Sequence, residues 1–212
     1  MPPCNWPTNP IHLVASFETR HKNPDAGALL AWAVWSVDCL YYLDDIDQAY
    51  DSSRVVPGNH RPDVVDVAHA RWATGTCITG LDLCGAAFGR VFCGRKGQHE
   101  LALADFGEPT KRTDVERAKG MKRRRAQLPR LGRRWLNKVF ADRRYKEIKR
   151  ARNWLTHSRM TRHFTLATGH RNNPRLQLGL PKTKVDIRQL ILAARDMATE
   201  HVLALLAILP QL

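Results

Sequence analysis

NPDAGALLAWAVWSVDCLYYLDDIDQAY, residues 23–50, decides the fold class, because it reads as one long helix with a built-in start. Asn23 is a capping residue, Pro24 suits the first helical position, and Asp25 places negative charge at the positive end of the helix dipole. Leu30, Val34, Val37, Tyr41 and Ile46 then recur at helical spacing and give the helix an apolar face. The acidic run Asp44-Asp45-Ile46-Asp47 at its far end reads as a solvated helix end. A magnesium site of the prenyl-transfer kind needs a second acidic cluster and a larger cavity, and the chain shows no such cluster.

Val55 to Arg61, with Pro57 and Gly58, is a turn, and a second long helix runs from about Pro62 to Phe92. Its Gly75, Gly80, Gly85 and Gly89 lower helix stability but let another backbone come close, which is expected of tight bundle packing. Arg71, Asp82 and Arg90 interrupt its apolar run, so a membrane span is the poorer reading. Asp82 is expected at a helix interface, hydrogen-bonded to a hydroxyl or an amide.

Gly94 to Arg130 is punctuated by glycine and proline and is expected to be a basic connection at about 95–130, with a short helical piece near Asp114 to Arg125. A third strong helix begins near Leu131, carries Trp135, Val139, Ile148 and Leu155, and continues through Arg152 to His157. His163 to Thr168 and Arg175 to Leu180 predict two short strands joined at Asn172-Asn173-Pro174 as a hairpin. Thr183 and Asp186 approximate a capping box for a last helix that ends near Leu209, before Pro210. The expectation is an all-α, four-helix-bundle-like domain over residues 23–212, preceded by an N-terminal arm at 1–22, with one small β-hairpin before the last helix.

The chain has 212 residues, of which 43% are hydrophobic, enough to bury a sizeable core and to exclude wholesale disorder. Met1 to Pro10 hold no apolar run that would read as a signal peptide, so a cytoplasmic location and no membrane partner are expected. Cys4, Cys39, Cys77, Cys84 and Cys93 form an odd set without a close CxxC pair, which points to buried thiols in a reducing compartment. No metal and no cofactor is expected.

Charge is distributed unevenly. Lys111 to Arg152 contain 18 Lys or Arg and 4 Asp or Glu, an excess of 14 that equals the net charge of the whole chain. Such a block suits a polyanion, with Lys122, Arg123, Arg124, Arg125, Arg133 and Arg134 as its densest part. The alternative is a solvated basic face.

The block runs into Arg152-Asn153-Trp154-Leu155-Thr156-His157. On a helix, Arg152 and Thr156 share one face and Asn153 and His157 the next, while Trp154 and Leu155 turn to the core. Arg54 and His60 repeat the looser spacing, but Pro57 and Gly58 between them break helix. His157 can donate or accept a proton near neutral pH, and Arg152 offers a permanent planar cation to phosphate oxygens. Asn153 can orient the histidine or the phosphate, with Thr156 and Ser158 as weaker phosphate donors. RNA suits these groups because its own 2′-hydroxyl can attack the neighbouring phosphorus, leaving the protein to move protons and stabilise charge. One histidine supplies only an acid or a base, and a two-fold dimer would bring a second. His163 is an accessory RNA contact in this reading, and shared metal coordination by His157, His163 and His170 is disfavoured by their placement.

The Arg-Asn-x-x-x-His pattern resembles the signature of the HEPN superfamily (higher eukaryotes and prokaryotes nucleotide-binding domains). The resemblance implies a helical bundle, a homodimer with a composite site built from paired motifs, metal-independent endoribonuclease activity with 2′,3′-cyclic phosphate products, and a role in defence or stress, with a neutralising protein partner in some settings. It is also compatible with a non-catalytic helical domain that binds RNA or a protein. A basic helical interaction module for DNA or acidic partners is the reading that owes nothing to the resemblance.

Overall fold

The computed structural model describes Cys4, Trp6 and residues 8–53, 64–94, 101–109, 113–157, 164–167, 175–180 and 183–212. Seven α-helices appear among them: α1 (Pro10–His21), α2 (Pro24–Ser53), α3 (Val64–Phe92), α4 (Val115–Gln127), α5 (Arg130–Ala141), α6 (Arg143–His157) and α7 (Ile187–Ile208). The architecture is predominantly helical. Central in it is α3, which packs against α2, α6 and α7.

Helix α2 starts as its sequence dictates: Asn23 Oδ1 accepts the Ala26 amide at 3.0 Å. Leu30, Val34, Val37 and Leu40 are buried along it, whereas Ile46 is 54% exposed and does not belong to the core face. It runs antiparallel to α3, as Asp47 beside His69 and Ser36 beside Gly80 show. Gly85 of α3 performs the role its composition suggests, since a Cβ there would stand 2.7 Å from the backbone N and Cα of Leu103. That approach seats Leu103 and Phe106, both fully buried in a short 3-10 turn (Leu103–Phe106), against α3. Gly75 has nothing within 4 Å, so close packing does not explain it.

Three expectations are corrected. Residues 10–21, placed in an arm by sequence, form a packed helix whose Val14 and Phe17 are buried and whose Arg20 donates to the carbonyls of Leu209 and Pro210 at 3.1 and 2.7 Å. The single helix expected from Leu131 onward is broken at Asp142 into α5 and α6. Asp142 accepts the Arg144 amide at 2.8 Å and is bonded to the Arg144 guanidinium, so its side chain starts a new helix. Thr183 does not open the last helix: it lies in a strand, and Asp186 is the cap, accepting the Gln189 amide at 3.1 Å.

Between α6 and α7 lies a three-stranded antiparallel sheet of β1 (Phe164–Ala167), β2 (Arg175–Leu180) and β3 (Thr183–Asp186) in the order β1-β2-β3. Phe164 pairs with Leu178 and Ala167 with Arg175; Leu178 in turn pairs with Val185. A third strand thus joins the two expected, and the Asn172-Asn173-Pro174 connection lies outside the described residues. So does the turn at residues 55–61.

The acidic run of α2 is not solvated. Asp44 and Asp47 are 2% and 3% exposed. Arg188 and Arg195 of α7 both pair with Asp44, Arg188 Nη1 also reaches Asp47 at 2.9 Å, and Asp47 Oδ1 lies 2.7 Å from His69 Nδ1. Only Asp45 and Ile46 face outward. Antiparallel α2 and α7 are therefore locked by charge as well as by apolar packing.

Candidate nucleic-acid interface

Helix α6 carries the motif, and its start is fixed from α7. Asp142 Oδ2 is 2.9 Å from His201 Nε2, and Arg144 bridges Asp142 and Glu200. Burial alone would raise the Asp142 carboxyl, but hydrogen bonds from Arg144 and His201 outweigh it and hold it down at about 2. Ile148, Ala151 and Leu155 bury one face of α6, while Trp154 packs half-buried against the same core. The expected division into an apolar back and a polar front is present for these residues.

On the polar front, Arg152 is half-buried, and Asn153 and Thr156 are exposed. Arg152 Nη1 donates to Asn153 Oδ1 at 3.1 Å, so the guanidinium and the amide are brought together within one turn. His157 is the last residue of α6. Ser158, His163 and His170 lie outside the described residues.

Beneath Arg152 sits Asp82 of α3. Its Oδ1 accepts the Leu103 amide at 2.9 Å, the backbone-amide partner that the sequence leads one to expect. Burial is the largest influence on Asp82 and raises its pKa, opposed by the Leu103 bond and by the positive charges of Lys149 and Arg152. Tyr145 is buried beside it, its phenol pushed up by burial and then by the charges of Asp82 and Cys77. Lys149 Nζ donates to the Tyr145 hydroxyl at 3.4 Å. Arg152 and Lys149 thus form a cationic edge over a carboxylate that burial keeps partly from ionising.

The basic block divides into two kinds of side chain. Arg124 Nε donates to the Asp105 carbonyl at 3.2 Å, and Arg125 bonds the Phe106 carbonyl at 3.4 Å and the Asn137 side chain. These two arginines pin the 3-10 turn to α4, a use the sequence does not advertise. Lys122 and Arg123 on α4, and Arg133 and Arg134 on α5, are exposed and make no ion pair with a described residue. Arg130, Lys138, Lys146 and Arg150 are exposed in the same way. A surface with this many unneutralised cations attracts polyanions by counterion release.

No family model, curated protein or solved structure matches this chain. The site therefore has to be read from its own residues. Among the described residues no group of three or more His, Cys, Asp or Glu could hold a metal ion. Cys4, Cys77 and Cys84 are buried free thiols, and Cys39 and Cys93 are half-buried and free. Burial pushes Cys84 up to about 12, which makes it a poor nucleophile. Helix α2 is long and apolar enough to cross a membrane by length and composition, yet half of that stretch is buried inside the fold.

Proposed function

We propose that the protein is a metal-independent endoribonuclease of HEPN type, acting as a homodimer on RNA. The observation that carries this reading is the placement of Arg152, Asn153 and His157 on the last turns of one helix, with Arg152 bonded to Asn153 and a field of exposed cations on α4 and α5. Arg152 would hold the phosphate and stabilise its extra charge, His157 would move the proton of the 2′-hydroxyl or of the leaving 5′-oxygen, and Asn153 would orient one of them. Thr156 and Ser158 are secondary phosphate donors in this scheme. A composite site with a second His157 would supply the complementary acid or base.

The reaction needs no bond to the protein. The 2′-oxygen attacks phosphorus, the P–O5′ bond breaks, the 5′-oxygen takes a proton, and the upstream fragment keeps a 2′,3′-cyclic phosphate. His157→Ala is expected to abolish cleavage of single-stranded RNA in EDTA while leaving circular dichroism and oligomeric state unchanged. Full activity in that variant overturns the assignment.

A second reading is a non-catalytic domain that binds RNA or an acidic partner through the same surface. The observation that favours it is the exposed set Lys122, Arg123, Arg133 and Arg134, which suits binding whether or not cleavage follows. Binding with a steep salt dependence but no cleavage of RNA selects it.

A further inference from the structure

Helix α2 is apolar on two faces. Its inner face fills the core, while its outer face carries Ala28, Trp32, Trp35, Cys39, Tyr42, Ile46 and Ala49, at alternating steps of four and three residues. That is the period of a coiled-coil seam held for three heptads. The four large members are open: Trp32 56%, Trp35 57%, Tyr42 55% and Ile46 54% exposed. Trp32 and Trp35 meet edge to face, with ring centroids 5.1 Å apart. In the antiparallel hairpin, Trp72 of α3 stands level with Asp44 and is 67% exposed. A helix apolar all round normally has both faces covered, and exposed apolar surface of this kind marks an interaction site.

Charge restricts what can cover it. Six aspartates and no Lys or Arg lie in α2. Asp44 and Asp47 are neutralised from α7 and α3, Asp25 pairs with Arg90, and Asp38 accepts from Trp6 Nε1, leaving Asp45 exposed on the rim of the seam without an ion pair to a described residue. The rim is acidic on a chain whose net charge is +14. A second copy of α2 would bring like charges together along the seam. A bilayer rich in anionic lipid is disfavoured for the same reason.

We infer that the outer face of α2 docks an amphipathic helix of a partner protein, one that presents large aliphatic residues at heptad spacing and Lys or Arg along its flanks. This docking does not depend on the nuclease reading. The motif helix α6 packs across α3 and not against α2, so the seam and the candidate nucleic-acid surface are separate.

Two synthetic 21-residue helical peptides test the idea on the full chain, each with Leu at the two seam positions, one with Lys and one with Glu at the flanks. Calorimetry and tryptophan fluorescence should show binding of the Lys peptide despite the protein's overall positive charge, and Trp35→Ser with Tyr42→Ser should weaken it by roughly tenfold or more. Asp45→Lys should weaken it as well. Thermal melts of the variants should match the parent, because the replaced side chains are exposed. The inference is overturned if the Lys peptide does not bind, or if Trp35→Ser with Tyr42→Ser leaves its affinity unchanged. It is also overturned if those substitutions dissociate a dimer in sedimentation, which makes a second copy the occupant, or if they release the protein from phosphatidylcholine–phosphatidylserine vesicles, which makes it a membrane.

Discussion

Asp142 Oδ2 lies 2.9 Å from His201 Nε2, and this contact ties the start of the motif helix to the middle of α7. The carboxylate also takes three bonds from the Arg144 side chain, at 2.7 to 3.2 Å. One side chain thus ends α5, begins α6 and fixes where Arg152 stands.

Asp142 should be a source of acid lability. Its folded-state pKa is held at about 2, below the ordinary carboxylate value, so its contribution is present above pH 4 and fades as pH falls toward 2. Asp142→Asn should cost about 2 kcal/mol at pH 7, and the gap to the parent protein should close by pH 2. Urea midpoints at several pH values measure this; a gap independent of pH would contradict it.

Asp82 should behave in the opposite sense. Its pKa is raised chiefly by burial, so the folded state favours the protonated form and the ionised form weakens the fold as pH rises. Asp82→Asn keeps an acceptor for the Leu103 amide and removes the buried charge. It should leave stability at pH 7 unchanged or slightly higher, as thermal melting would show.

The α2–α7 lock should distinguish neighbouring aspartates. Asp44→Ala leaves Arg188 and Arg195 without their shared buried partner and should cost about 3–5 kcal/mol. Asp45→Ala, on the exposed side, should stay within about 0.5 kcal/mol. Equal effects in chemical denaturation would refute the division of this run into buried and exposed halves.

Gly85→Ala should destabilise by about 1–3 kcal/mol, because the new Cβ meets the Leu103 backbone rather than a movable side chain. Gly75→Ala has open space and should be neutral or stabilising through helix propensity.

Helix starts and periodicity were legible in the sequence because they depend on local chemistry: the Asn23-Pro24-Asp25 start of α2 and the Asp114 cap of α4 follow from residues within one turn. The break at Asp142 was not legible, since it rests on a histidine 59 positions away. Asp44 and Asp47 were misread as solvated for the same reason, their partners being Arg188, Arg195 and His69. Arg124 and Arg125 illustrate the converse for the candidate site. Density of basic residues marks a surface but does not reveal which cations serve the fold. The polar front of Arg152 and Asn153 was readable from helical spacing alone.

The most direct measurement of the central claim uses a single-stranded RNA with one 2′-deoxy nucleotide at a mapped cleavage position, incubated with the protein in EDTA and read by mass spectrometry. The account predicts that cleavage stops at that position alone, while other positions still yield 2′,3′-cyclic phosphate ends that vanish in His157→Ala. Cleavage that persists at the deoxy position, or products lacking cyclic ends from the outset, would contradict it.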